Sequence, residues 1–479
     1  MLLRYNMLAK TESYPTTKPL IMKSSRSEIR RKTHALPALR FEDQQLTSFS
    51  GLVIVQRTFE HLGLKERLRP CFRHLKVSPI FGPTGIVLLL VIHLLLGYRE
   101  LRHLRFYEDD PLVRRLLGLK RLPDVATISR SLSSMDAQSV ERLRQLLRTL
   151  VLERLDALAL SRVTLDFDGS VIGTGRYAEG TAVGFNRKKK GQRSYYPLFC
   201  TLAQTGQVLD VLHRSGNVHD SNGAQAFILQ CIEQVRCMLP GATIEVRMDS
   251  AFFSDAIVGE LDQLGVEYTI SVPFERLVEL KGQIEARRRW YRIDAQSDYF
   301  ECTWKPKSWR RRHRFVFVRQ RNRVQYKQPV QLDLFVPYEY GYDFKVVLTN
   351  KRLGAAKVIA LHNGRGSQEG IFAELKSQNQ MGYVPTRTWY GNQVYLLSTI
   401  LAHNLSREMQ MIARKPSRTT RQKRPALWDF EQLGTLRRRL IQRAGRLIRP
   451  QGTLTLSMSA NEVVQKELLH YLDAIEAAA

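Results

Sequence analysis

Apolar residues between Phe49 and Leu160 recur at helical spacing. Phe59, Leu62 and Leu64 come first, then the run Ile86 to Leu96 interrupted by His93, then Val140, Leu143, Leu146, Leu147 and Leu150. Short turns separate these stretches, so a helical region is expected there. At Arg162 the period drops to two. Val163, Leu165 and Phe167 alternate with Thr164, Asp166 and Asp168 until Gly169, which predicts a strand carrying two acids on one face. Strands are expected again over Ser194 to Ala203 and Val208 to His213, followed by a helix from about Ser221 to Met238 that stops at Pro240-Gly241. A fourth strand, Thr243 to Met248, delivers Asp249 at its carboxyl end. The serine-capped helix Ser254 to Leu264 and a fifth strand, Glu267 to Val272, complete an α/β sheet of mixed direction.

About ninety residues then precede the next strong helix, too many for a simple loop. They alternate over Trp290 to Ile293, Tyr299 to Trp304, Arg314 to Arg319, Gln331 to Phe335 and Phe344 to Leu348, which reads as an antiparallel β insertion. Helical period returns with HNGRGSQEGIFAELK (His362 to Lys376) and continues through Val394, Leu397, Ile400, Leu401 and Leu405. The division that follows is a basic flexible arm (1–45), a helical DNA-binding domain (46–160), a core in two parts (161–272 and 350–412) around the insertion (273–349), and a basic C-terminal tail (413–479). Asp124 to Met135 reads either as the start of a helix-turn-helix, with Thr127, Ser129 and Arg130 presented, or as a capped connector between core helices.

Charge narrows the function. Over 479 residues, 74 Lys and Arg against 45 Asp and Glu leave a net +29, which calls for a polyanionic partner, most economically nucleic acid. The Ile86 to Leu96 run is about half of the roughly 20 residues a bilayer span requires, so it is expected as a buried core helix after Pro83. The first forty residues lack the apolar stretch of a signal peptide. Cys71, Cys200, Cys231, Cys237 and Cys302 show neither CxxC spacing nor a disulfide framework, so free thiols and no structural zinc are expected.

In His362 to Lys376, a continuous helix would set His362, Arg365, Glu369 and Lys376 on one face and Ile371, Phe372 and Leu375 on the other, with regular structure beginning near Ser367. Taken alone, that is an amphipathic surface helix with ordinary charge pairs. Together with an acid on the first strand and another after the fourth, it resembles the ribonuclease H-like fold of the DDE transposases and integrases. His362-x2-Arg365-x3-Glu369-x6-Lys376 is similar to the Tyr-x2-Arg-x3-Glu-x6-Lys signature of bacterial insertion-sequence transposases, with histidine for tyrosine. Asp168-Gly-Ser170 resembles their first-acid motif, RMDSAF (Arg247 to Phe252) their second, and VGFNRKKKGQRSYYPL (Val183 to Leu198) the Gly-Tyr-Asn-Pro-Lys-x-x-Gly segment of DDE group 1, with Arg187 for proline.

The resemblance implies a ribonuclease H-like catalytic core in which Asp168, Asp249 and Glu369 hold two Mg²⁺ ions, about 4 Å apart, with Mn²⁺ able to substitute. Asp168 would lie between the ions, supported by Ser170. Asp166, about 6.6 Å deeper on the strand, would accept from a metal-bound water or pair with a base such as Lys376. Arg365 and Lys376 would contact phosphates near the reacting end, and His362 would either do the same or pack on the sheet at the helix entry. Lys188, Lys189, Lys190 and Arg193, and Arg310, Arg311 and Arg312 of the insertion, would hold DNA. The expected protein is a cut-and-paste transposase acting as a homodimer on terminal inverted repeats and target DNA, cytoplasmic and nucleoid-associated. A Mg²⁺-dependent structure-specific nuclease and a non-catalytic DNA-binding repressor are the alternatives; intact acids weigh against the repressor, and the long insertion and the signature Arg and Lys weigh against the nuclease.

Overall fold

The alternating segment at Arg162 is the axis of the molecule. In the computed structural model the residues described are 37, 41–76, 80–184, 186, 189–218, 223–321, 342–418 and 424–478. Gln44–Ala479 forms one compact unit and Met1–Asp43 another; the expected arm lies almost wholly outside the described residues. Within the larger unit, β1 (Arg162–Gly169) is an interior strand, third from one edge, of a sheet with nine strands among the described residues. Its other strands are β2 (Leu198–Leu202), β3 (Val208–Leu212), β4 (Thr243–Met248), β5 (Glu267–Ser271), β6 (Tyr291–Arg292), β7 (Ser297–Trp304), β8 (His313–Arg321) and β9 (Tyr342–Thr349). The spatial order is β6-β7-β8-β9-β5-β4-β1-β2-β3. β1, β4 and β5 run parallel and every other neighbouring pair is antiparallel. The protein is thus mixed α/β around one large sheet.

Both faces of β1 are covered. Val163, Leu165 and Phe167 pack under α3 (Ala224–Met238), where Phe167 meets Phe227 edge to face at 6.0 Å, and α4 (Asp255–Gln263) joins the same core. The edge strand β3 is closed by side chains. Asn404 of α7 (Trp389–Ala413) accepts from Val208 N at 2.9 Å and donates to Val208 O at 2.8 Å, so its amide stands in for a strand. Asp210 of β3 is held by Arg144 at 2.6 Å and Arg148 at 3.2 Å from α2 (Ala137–Leu158).

Two expected boundaries change. The β segments beyond β5 are not a separate insertion: β9 pairs with β5 through Val347↔Ser271 and Leu348↔Ile270, so β6–β9 extend the core sheet and cover an edge that β5 would otherwise expose. The expected strand Gln331 to Phe335 lies outside the described residues. Nor is 413–479 a tail. Leu433, Leu436, Leu440 and Ile441 are core residues of the helical body, α8 (Glu462–Ala477) adds Leu468, Tyr471 and Ile475, and Gly445 and Arg446 pair with Thr47 and Leu46. Its basic residues serve partly as caps: Arg437 donates to Leu95 O at 2.7 Å at the end of α1 (Pro83–Leu95) and to Gln378 O at 3.0 Å. α1 itself is buried along its apolar run, as expected, with His93 bonded to Tyr107 Oη at 2.7 Å and pushed down to about 3 by burial. Asp124 caps Val125–Ser133 by accepting from Thr127 N at 2.6 Å; Ile128 and Leu132 enter the core while Arg130 is exposed.

Candidate active site

Because β1 and β4 are parallel and Phe167 pairs with Met248, the residues that follow, Asp168 and Asp249, leave the sheet at one level, at the carboxyl ends of adjacent strands. Local backbone fixes each. Asp168 Oδ1 accepts from Gly169 N at 2.8 Å, and Asp249 accepts from Ala251 N at 3.0 Å, capping the turn Ser250–Phe252. The two carboxylates feel each other. Burial and then the charge of Asp249 push the Asp168 carboxyl up to about 6, against the opposing pull of Arg365, whose Nη1 lies 3.0 Å from Asp168 Oδ2. Ser170 is buried beside them and donates its backbone N–H to Pro197 O at 3.0 Å.

Regular helix begins near Ser367, and His362 belongs to a separate helix before it. α5 (Ala355–Asn363) ends at Gly364, and α6 (Gly366–Ser377) starts one residue before Ser367, with Arg365 at its N-cap. Glycines at 364 and 366 make a continuous helix costly. His362 therefore leaves the face of Glu369. It is 1 % exposed, with Nδ1 3.0 Å from Thr269 Oγ1 and Nε2 2.8 Å from Ser271 Oγ, and burial drives its pKa far down. Of the two roles left open for His362, the structure gives packing on the sheet, with both ring nitrogens engaged on β5, and not phosphate contact. Glu369 stands exposed in the first turn of α6, where the helix dipole favours a carboxylate, and Lys376 is exposed in the last. Ile371, Phe372 and Leu375 pack inward as expected, Phe372 against Phe199 of β2 at 5.1 Å.

Asp166 pairs with a base, one of its two expected roles, but the base is Arg247, the residue opposite it on β4, in place of Lys376. Nε and Nη2 of Arg247 each reach an Asp166 oxygen at 2.6 Å, with exposures of 0 % and 1 %. Burial raises the Asp166 carboxyl, and the Arg247 fork opposes it. Arg247 and Gln368, whose Nε2 donates to Asp166 O at 2.9 Å, are site residues that sequence reasoning missed. A signal existed for Arg247, since aligning the two strands in parallel sets an acid and a base face to face.

Of the basic residues expected to hold DNA, Lys188 lies outside the described residues, and Lys189 and Lys190 are exposed on a loop. Arg193 is engaged with its own loop, donating to Thr181 Oγ1 at 3.1 Å and to Thr181 O, with its guanidinium 5.2 Å from the centre of the Tyr177 ring. Arg310, Arg311 and Arg312 are exposed. Their loop is anchored near the second acid: Trp309 stacks on Phe253 at 4.6 Å and Arg310 N lies 3.4 Å from Asp255 Oδ1.

Among the described residues no group of three or more His, Cys, Asp or Glu is close enough to hold a metal. The fold brings Asp168 and Asp249 together but not Glu369 as a third. The pair still fits a divalent cation: two carboxylate donors that repel each other, with a guanidinium supplying the positive charge.

A family model described as transposase DDE domain group 1 matches residues 33–479. A search of curated proteins gives no match. Among solved structures, the chain is similar to a piggyBac transposase synaptic complex with hairpin DNA, at 11 % identity and TM-score 0.40, over 75 % of this chain and 74 % of that one. It is also similar to a Mos1 transposase paired-end complex with the left transposon end, at 12 % identity and TM-score 0.18, over 35 % of this chain and 56 % of that one. A Mos1 mariner paired-end complex with Mn gives 12 % identity and TM-score 0.17 over the same shares.

Proposed function

The chain belongs to the transposase DDE domain group 1 family, and from that premise we propose that it excises and inserts its own element by cut-and-paste, binding terminal inverted repeats as a homodimer. As a DDE transposase it is a DNA-cleaving and strand-transferring enzyme. The observation that carries the reading is the position of Asp168 and Asp249 at one level on adjacent parallel strands. The strand order β3-β2-β1-β4-β5, with β1, β4 and β5 parallel, supports a ribonuclease H-like core. The net charge of +29 and the exposed Arg310–Arg312 loop beside the second acid support a DNA substrate. No helix among the described residues is long and apolar enough to cross a membrane, and we place the enzyme in the cytoplasm at the nucleoid.

Asp168 and Asp249 would hold Mg²⁺ or Mn²⁺, and Glu369 of α6, which the fold does not bring up to them, is kept as the third carboxylate on the family resemblance alone. Such ions neutralise charge on the attacking and leaving oxygens of a phosphodiester. The protein's own groups do the rest. Asp168 and Asp249 must both be ionised, which burial and mutual repulsion oppose and Arg365 assists. The Arg365 fork also suits a phosphate oxygen, and Lys376, about three turns further along α6, adds a second positive charge. His362, neutral and buried, holds the α5–α6 junction against β5.

The test uses a DNA fragment bearing the element's own ends. Cleavage is expected with Mg²⁺ or Mn²⁺ and lost in Asp168→Ala and Glu369→Gln, while both variants still bind the ends in Ca²⁺. Joined products with a target duplex separate a transposase from a nuclease, which would cut and not join. Cleavage retained in Glu369→Gln would remove Glu369 from the site.

A further inference from the structure

We propose that Arg247 is a positioning residue that sets the start of α6, and with it Arg365, in place against the strand ends bearing Asp168 and Asp249. The proposal rests on the functional reading above. Arg247 sits two residues before Asp249 on β4, and its guanidinium faces two ways. Nε and Nη2 form a fork on Asp166, two residues before Asp168 on β1. Nη1 donates to Leu361 O at 3.0 Å, in the last turn of α5. One buried side chain therefore joins both acid-bearing strands to the helix end that leads into the site.

The junction it grips has other anchors on β1, β5 and β9, the last through Lys345 Nζ, which donates to Asn363 Oδ1 at 2.9 Å. His362 bonds Thr269 and Ser271 of β5, and Gln368 donates to the backbone carbonyl of the Asp166 that Arg247 holds. Arg365 reaches Asp168. Between Asn363 and Gly366 the α-helical ladder gives way to three-residue turns, Arg365 N donating to His362 O and Ser367 N to Gly364 O at 3.1 Å each, which tie α5 to α6 less firmly than a regular helix would. The side-chain bonds therefore share in setting the direction of α6 at its first turn, while Ile371, Phe372, Leu375 and Glu374 hold it further along. A fully buried arginine is costly unless each donor is used, and a lysine in its place could keep the charge on Asp166 but not the second donor in the geometry of the fork.

Arg247→Lys and Gln368→Met test the idea; the second removes one anchor without exposing a buried charge. Hydrogen exchange read by mass spectrometry on the full-length protein should speed up in Gly364 to Gly370 by about tenfold in Arg247→Lys, the worth of one hydrogen bond, and less in Gln368→Met. Exchange in α7 should not change. Mn²⁺ affinity read by electron paramagnetic resonance, and cleavage of the element's ends at subsaturating Mn²⁺, should both fall by about 10- to 100-fold in Arg247→Lys, the usual effect of losing a group that orients a ligand. Exchange that rises uniformly through α7 with Mn²⁺ affinity unchanged would make Arg247 merely a core residue and overturn the proposal. So would unchanged exchange at the junction in both variants. If the wild-type protein cuts no ends, the functional reading falls, and the exchange and Mn²⁺ measurements still decide the role of Arg247.

Discussion

Replacing Asp168 by asparagine should stabilise the metal-free protein while abolishing cation binding. The Asp168 carboxyl, 22 % exposed, titrates at about 6 in the folded protein against an ordinary 3.8, because of burial and then Asp249. On raising the pH, the unfolded chain gives up this proton first. Between about pH 4 and 6 the folded state holds more protons than the unfolded one, so stability falls as pH rises through that window. Above it the full penalty is present, at most roughly 3 kcal/mol for a difference of about two pKa units. Asparagine removes the charge but also takes the ionic partner from Arg365, so a net gain of about 1–2 kcal/mol is expected near pH 7.5 and almost none near pH 4.5. Urea unfolding in EDTA at both pH values measures it. A cation at about 100 times its dissociation constant adds roughly 2.7 kcal/mol to the wild type, and that addition should shrink below about pH 6 as protons compete for Asp168. An asparagine variant no more stable than wild type near pH 7.5, or a cation effect equally large near pH 5 and pH 7.5, would refute the reasoning.

Asp166→Ala strands the buried Arg247 and should cost about 3–5 kcal/mol, most of it recovered by adding Arg247→Met; thermal melts of the two single variants and the double variant read this, and a stable single variant would contradict it. Reversing Arg310, Arg311 and Arg312 to glutamate should flatten the salt dependence of duplex binding by about 0.9 log units per log salt for each phosphate they neutralise in the wild type; an unchanged slope makes the run a solvated face. Glu374, buried on α6, pairs with Arg407 and accepts from Leu433 N at 2.8 Å, so Glu374→Ala should cost about 3–5 kcal/mol and expose residues 433–441 to limited proteolysis. Undiminished resistance there would show that Glu374 does not hold this segment.

What could be read from the sequence was whatever a short window encodes. Alternation in Arg162–Gly169 and Thr243–Met248 placed two strands to within a residue, and with them the level of Asp168 and Asp249. The serine before Asp255 and the aspartate before Val125 marked helix starts that the structure keeps. What escaped depends on partners distant in the chain. Three- and four-residue spacing continues numerically through Gly364 and Gly366, which puts His362 on the face of Glu369; burial against Thr269 and Ser271 decides otherwise. Residues 413–479 read as a basic tail because nothing nearby in the chain reveals that Arg437 ends up on the carbonyls of Leu95 and Gln378. Arg247 could be paired only by choosing the register of two strands some eighty residues apart.

The pairing of Leu46 and Thr47 with Arg446 and Gly445 ties the order of synthesis to the order of folding. About 400 residues separate the paired strands, and at roughly 5–20 residues per second the ribosome needs on the order of 20–80 s to make them. During that time β1, β4 and β5 can form, but the helical body lacks Leu433, Leu436, Leu440 and Ile441, and α6 lacks the backbone of Leu433 that Glu374 receives. A nascent chain stalled between α6 and Leu433 would carry Asp168 and Asp249 without the contact from Leu433 N that Glu374 of α6 accepts. Premature termination there would therefore yield fragments in which α6 lacks this anchor, and the cell's DNA meets the assembled enzyme only after these later helices have left the ribosome.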